Sequence, residues 1–394
     1  MKYLSFRQGL SGVLFWSIIS AAFIGPGTVT TCGLAGATYG TSLLWALVFS
    51  IGATMVLQEA AARLTIATGQ NLGEIISLRL GARGRGVNRA LAVGVVLGCA
   101  AYEAGNILGA VAGIRLLLDL PGWVLTILIS TAAYFFLSIQ SVSVLSRVLG
   151  VVVFGMGAAF IWVGTSALEP ERWGEVVWHS LVPSFPAGAA VLITGLVGTT
   201  VVPYNLFLAS GIGKGQSVAE MRQGIILAVL IGGIISVCIL LGGTLVQGTF
   251  SYQNAAEVLS VRLGTYGRSL YAIGLLGAGF TSVVTAPFAA ALTTRSLLGF
   301  DQAQSRRVWQ GVLLMGFFFG LLDTRPIPII IAAQAANGLL LPFITWQIIR
   351  ATSDARILPL HRNTRLQKFL LGLIFLVTAL LGASSLLSAF KSLL

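Results

Sequence analysis

From about residue 12 to about residue 390 this chain is a succession of apolar runs parted by short polar connections. A run of about 18 or more apolar residues is long enough to cross a bilayer as a helix. Eleven runs meet that length, at 12–38, 41–68, 88–118, 122–140, 147–167, 188–210, 223–248, 268–294, 307–323, 327–349 and 369–390. Only 9% of the 394 residues are charged and 56% are hydrophobic, which leaves too little polar surface to cover a water-soluble globule. The chain reads as an all-α polytopic membrane protein. Its first apolar run is too long for a signal peptide and lacks a small-residue cleavage site, so no cleavable leader is expected.

In a soluble protein a net charge of +12 would suggest a nucleic-acid partner. In a membrane protein the charge is read loop by loop, because lysine and arginine collect on the cytoplasmic side. A cytoplasmic N-terminus places Arg79, Arg83, Arg85, Arg89, Arg306, Arg307 and the basic stretch from Arg350 to Lys368 inside. Arg172, Arg262, Arg268, Arg325 and Lys391 then fall outside, together with the acidic loop of Glu169, Glu171 and Glu175. Eleven spans leave the C-terminus outside. The expectation is an integral protein of a bacterial inner (plasma) membrane, surrounded by lipid, with no nucleic-acid partner.

Two of the runs are interrupted. Phe23-Ile24-Gly25-Pro26-Gly27-Thr28 breaks the first, and Gly195-Leu196-Val197-Gly198-Thr199-Thr200-Val201-Val202-Pro203-Tyr204-Asn205 breaks the sixth. Proline removes a backbone donor and glycine lets the chain unwind. Taken singly, each is explained by a proline kink. Unpaired backbone at membrane depth is tolerated where it lines a cavity, and matched breaks five spans apart point to an inverted repeat with its binding site between them.

The framework resembles the Nramp family of proton-coupled divalent-metal transporters, whose architecture is the LeuT-type fold. Gln58-Glu59-Ala60-Ala61-Ala62-Arg63-Leu64-Thr65-Ile66-Ala67-Thr68-Gly69-Gln70-Asn71-Leu72 is similar to the family's Q-x-L-A-A-R-L-G-x-x-T-G-x-x-L stretch. Gln334 followed by Leu341-Pro342-Phe343, and Pro203-x-Asn205-Leu206-x-Leu208-x-Ser210, match two further family elements. The resemblance implies an inverted five-plus-five helix repeat with an eleventh helix. Its parts are expected at 1–168, 169–350 and 351–394.

The ligands that the resemblance implies are replaced. The family's metal-binding aspartate and asparagine stand at Gly25 and Thr28, its methionine at Val202, and its carbonyl-offering alanine at Thr199. Its two histidines of the sixth span are Tyr204 and Ala209. A dehydrated divalent ion needs anionic or soft donors, so no confident metal site is assigned. Substrate contacts are expected from Gly25, Gly27, Thr28, Thr199, Thr200, Val202, Tyr204, Asn205 and Gln334, with Thr30 and Thr31 nearby. With no carboxylate at Gly25, the positive helix end there favours a small polar or anionic organic solute as cargo. The alternative is a divalent metal such as magnesium or manganese, largely hydrated, with Glu103 or Glu59 supplying charge. A further alternative is a sensor that no longer transports.

Ionisable residues within spans are expensive and usually functional. Glu103 matches an aspartate that the family uses for protons, whereas the family's next glutamate is Asn106; these two are the expected coupling residues. Glu59 and Arg63, four residues apart, read as a structural pair, and Arg306 and Arg307 as cytoplasmic anchors. His179 and His361 fall in loops on opposite sides, and Cys32, Cys99 and Cys238 read as buried free thiols. Neither a nucleotide-binding loop nor a hydrolase motif occurs, so a secondary-active transporter without cofactor is expected rather than an enzyme or an ATP-driven pump.

Overall fold

The computed structural model describes residues 24–139, 142–212, 217–322, 325–359 and 361–393. The N-terminal half of the first expected span, including Phe23, and the N-terminus itself lie outside the described residues. Every regular element among those residues is helical. In chain order they are α1 (Pro26–Tyr39), α2 (Leu44–Thr68), α3 (Leu72–Leu80), α4 (Ala82–Arg115), α5 (Gly122–Ser138), α6 (Val142–Ser166) and α7 (Trp173–Leu181). There follow α8 (Ala190–Thr200), α9 (Pro203–Ile212), α10 (Val218–Gly243), α11 (Tyr252–Leu263), α12 (Thr265–Leu298), α13 (Gln302–Leu321), α14 (Pro326–Ser353) and α15 (Arg365–Leu393).

Seven of the described helices are long and apolar enough to cross a membrane, or eight if a bent pair counts as one span. The seven include α8 and α9 taken together as one broken crossing. The other expected spans are also helices: α6, with 25 residues, belongs to the bent pair, and the rest are shorter or more polar than the seven. Helix α1 is half of a broken span, α5 has 17 residues, and α13 opens with Gln302, Gln304, Arg306 and Arg307. Helix starts follow from capping: Asn71 with Glu74, Ser217 with Glu220, and Asp301 with Gln304 each form a reciprocal box. Gly69 and Gly299, at φ 72° and 69°, close α2 and α12 in the left-handed region open to glycine.

Small residues bring the helices together. Helices α4 and α12 form the most extensive pair, and a Cβ on Gly279 of α12 would lie 2.6 Å from that of Ala110 on α4. On the other side, a Cβ on Gly36 of α1 would lie 2.0 Å from the Leu240 carbonyl oxygen of α10. In lipid such contacts provide the dispersion that holds helices together, since apolar burial gives no advantage over lipid tails.

Arg63 is fully buried and does more than neutralise its neighbour. Its Nε donates to Glu59 at 3.0 Å, Nη2 donates to Asn363 Oδ1 at 2.7 Å, and Nη1 donates to the His361 carbonyl. Arg222 of α10 also donates to Glu59, at 2.9 Å. The expected structural pair is therefore the centre of a network joining α2, α10 and the α14–α15 connection. Removing one partner of a buried ion pair costs about 3–5 kcal/mol; here the half-exposed Arg222 stays on Glu59 and holds the loss toward the lower end, while the Asn363 and His361 oxygens lose this donor. Arg63→Ala is expected to lower the thermal midpoint of the detergent-solubilised protein by several degrees, and Arg63→Lys to recover only part, since an ammonium lacks the planar fork. A midpoint unchanged in Arg63→Ala would show that the network contributes nothing to stability.

Candidate functional site

Both breaks are where the sequence places proline. Gly25 is extended at φ −126°, ψ −178°, and α1 begins at Pro26 with no side chain capping its first turn. Helix α8 stops at Thr200, Val201 turns out of helical geometry at φ −93°, ψ 73°, and α9 restarts at Pro203. Two carbonyls near the end of α8 are accepted into side-chain bonds: the Tyr102 hydroxyl donates to Gly198 O at 3.0 Å and Thr54 Oγ1 to Thr200 O at 3.2 Å. The Thr28 and Thr199 hydroxyls meet across the gap at 3.1 Å.

A cavity lies between these helix ends. Its broken-helix wall is made by Gly25, Gly27 and Thr28 of the first break and by Thr199, Val202 and Tyr204 of the second. The facing wall is Tyr102 and Asn106 of α4 with Ser282 of α12. The free space is about 10 Å³, roughly the room needed by one water. Apart from backbone amides and the Asn106 amide nitrogen, the polar groups on the lining are oxygens. Among the described residues no cluster of three or more His, Cys, Asp or Glu could hold a metal.

Glu103 stands one step behind that wall. It is fully buried, and its Oε2 accepts from Asn106 Nδ2 at 3.3 Å while Oε1 has no hydrogen-bond partner. Gly316 of α13 packs onto it so closely that a Cβ there would lie 2.5 Å from Glu103 Cγ. Among the described residues no lysine, arginine or histidine forms an ion pair with it. A carboxylate so placed is tolerated in its charged form only with a cation close by.

The sequence profile of the family described as "Natural resistance-associated macrophage protein-like" matches residues 17–388. The chain belongs to the Nramp family. A protein of Verminephrobacter eiseniae named "Divalent metal cation transporter MntH" is 27% identical over 321 residues, covering 75% of this chain and 71% of that one. Its namesake in Acidiphilium cryptum is 28% identical over 355 residues, covering 82% and 78%. Among solved structures, a histidine-to-alanine variant of the Eremococcus coleocola manganese transporter superposes with a TM-score of 0.80 at 18% identity, over 98% of this chain and 88% of that one. A sodium-coupled sialic acid symporter superposes with a TM-score of 0.60 at 13% identity, over 97% and 92%. The fold is thus the LeuT type expected of an Nramp protein.

Within this Nramp scaffold the expected residues divide. Gly25, Gly27, Thr28, Thr199, Val202, Tyr204 and Asn106 meet at one cavity. Thr200 is not on its lining; its hydroxyl donates to Leu196 O at 2.8 Å within α8. Asn205 is buried in the first turn of α9, also off the lining. Gln334 packs behind the cavity, accepting from the Thr31 hydroxyl and lying 2.2 Å from where a Gly27 Cβ would be. Thr30 bonds the Tyr252 hydroxyl at 2.6 Å. Glu59 is held in the Arg63 network; His179, expected in a loop, lies in helix α7, and His361 is in the α14–α15 connection, both off the lining. Cys32, Cys99 and Cys238 are buried and unlinked.

Tyr102 and Ser282 were not expected at the site. Tyr102 adjoins Glu103 in sequence and had a signal to follow; Ser282 is one hydroxyl in a helix with several. Yet a Cβ on Gly25 would lie 2.5 Å from Ser282 Oγ and 3.3 Å from its Cβ, so residue 25 and residue 282 share one volume. Gly25→Ala is expected to destabilise the protein by about 1–3 kcal/mol through overpacking, and Ser282→Gly in the same chain to restore at least half. A thermal double-mutant cycle measures this; Gly25→Ala as stable as the parent would show that the two positions do not compete.

Proposed function

We propose that this Nramp-family protein is a secondary-active transporter of a divalent metal cation, held by neutral oxygens with part of its water shell retained. The supporting observation is the lining of the cavity between the two helix breaks, where hydroxyl and amide oxygens from four segments converge. The organic solute first expected from the missing carboxylate has no support from the relatives. The relatives in Verminephrobacter eiseniae and Acidiphilium cryptum are named divalent metal cation transporters, which favours the metal.

Hard divalent ions take oxygen ligands, and magnesium in particular keeps several waters. The Thr28, Thr199 and Ser282 hydroxyls and the Asn106 amide can replace some of those waters or bond to the ones that remain. The negative end of the α8 dipole and Glu103 behind Asn106 supply the attraction that the lining lacks. Glu103 then alternates between a proton and the charge of the cargo, which couples the two. Alternating access is motion of the broken helices, α1 and α8–α9, against the α4–α12 wall, within repeats taken as 1–168 and 169–350. Arg79 at the end of α3, Arg83, Arg85 and Arg89 at the start of α4, and the basic residues of the α14–α15 connection support a cytoplasmic N-terminus in a bacterial inner membrane.

Proteoliposomes loaded with a divalent-ion dye are expected to show saturable magnesium and manganese entry, with cadmium poorer because Val202 offers no sulfur. Glu103→Gln is expected to reduce that entry at least tenfold and remove its dependence on a pH gradient. Uptake of a labelled amino acid or organic acid with no divalent flux would overturn the proposal and return the organic-solute reading.

A further inference from the structure

Helix α7, with 9 residues, is too short to cross a membrane by itself, and the transport site does not explain it. The segments Val151–Ser166 and Pro170–Leu181 meet at 92°. Since α6 reads as a spanning helix, α7 runs roughly parallel to the membrane plane just beyond its end.

Successive helical residues turn by about 100°, which puts Trp173, Val177, Leu181 and Trp178 within one arc of about 140°. All four are more than half exposed, and no charged side chain falls among them on that arc. Charge is kept to the N-terminal end and the flank: Glu169 and Glu171 precede the helix, and Arg172 pairs with Glu175 at 3.2 Å. An exposed apolar face of this size is costly in water, whereas tryptophan beside aliphatic residues is the composition of the bilayer interface.

The other side of α7 and the strand of chain after it hold the first two helices. Thr41, in the α1–α2 turn, donates to Glu175 Oε1 at 2.5 Å and lies 2.7 Å from His179 Nδ1. Thr41 and Arg172 together hold the Glu175 carboxyl below the ordinary carboxylate range. Trp45 Nε1 donates to the Ser184 carbonyl at 2.9 Å and its ring packs on Phe185 at 5.0 Å. The Tyr39 hydroxyl donates to the Ala187 carbonyl at 3.2 Å. Tyr39 is the last residue of α1, the helix whose first turn lines the cavity.

We infer that α7 is an interfacial helix whose Trp173, Val177, Trp178 and Leu181 face is immersed in the lipid headgroup and upper acyl region, and that it clamps the α1–α2 turn to that membrane surface. The end of α1 far from the cavity is thereby fixed to the bilayer, and any tilt of this helix is referred to the lipid plane. The inference is independent of what the cavity carries.

The native cysteines are buried, so spin labels can be placed at Val177→Cys, Leu181→Cys and, for comparison, Glu171→Cys, with labelled parent protein as the background. In phosphatidylcholine–phosphatidylglycerol vesicles, power saturation is expected to show labels 177 and 181 more accessible to oxygen than to a water-soluble nickel complex, and label 171 the reverse. Nickel accessibility at 177 and 181 would place the face in water and overturn the inference. Immobile labels accessible to neither reagent would show a second protein surface there and overturn it equally. Thr41→Val is expected to raise the mobility of label 177 without changing its depth; unchanged mobility would remove the clamp.

Discussion

Hydrocarbon provides no partner for a peptide group, and the architecture follows from how this chain meets that constraint. Unbroken helices satisfy it internally. At the two breaks the partners come from elsewhere, and each bond to a freed carbonyl fixes the relative position of two helices. Tyr102 on Gly198 O ties α4 to α8, and Thr54 on Thr200 O ties α2 to the same helix end. The break in α8–α9 is thus a three-helix junction rather than a flexible point. The cavity exists because the helix ends stop short of one another while their neighbours hold them apart.

Electrostatics decides what such a cavity can accept. The start of α1 brings a positive helix end with no capping carboxylate, the end of α8 a negative one, and Glu103 stands behind Asn106 of the lining. A bare divalent ion would lose far more hydration energy than these groups return. An ion that keeps much of its shell presents water hydrogens and oxygens, which hydroxyls and amides can meet as donors and acceptors alike. The burial of Glu103 without a cationic side chain makes its charge depend on what occupies the space beside it.

Away from the centre, the ends of the helices are held by polar contacts where water or headgroups are near. Arg63 gathers α2, α10 and the α14–α15 connection at one end, and Thr41 with Trp45 gathers α1, α2 and the α7 segment at another. Between them lie the glycine-lined contacts of α4 with α12 and of α1 with α10. Helices packed this closely slide or tilt as units, which suits a wall that moves against another wall.

Local chemistry made much of this legible in one dimension. Apolar run length marked the spans, proline near glycine marked both breaks, and the four-residue spacing of Glu59 and Arg63 marked their pair, because each of these effects acts within a few turns of one helix. What surrounds a break comes from helices distant in sequence, and no local pattern announces it. Ser282 reaches the site because α12 packs on α4; Gln334, though it belongs to a recognisable stretch, ends behind the lining, and the Thr200 hydroxyl turns back to its own helix. The absence of a carboxylate at Gly25 was visible in the sequence and suggested an organic cargo. What faces that position is a property only of the packed helices: Thr28, Thr199, Asn106 and Ser282 bring their oxygens together because four separate segments approach one another.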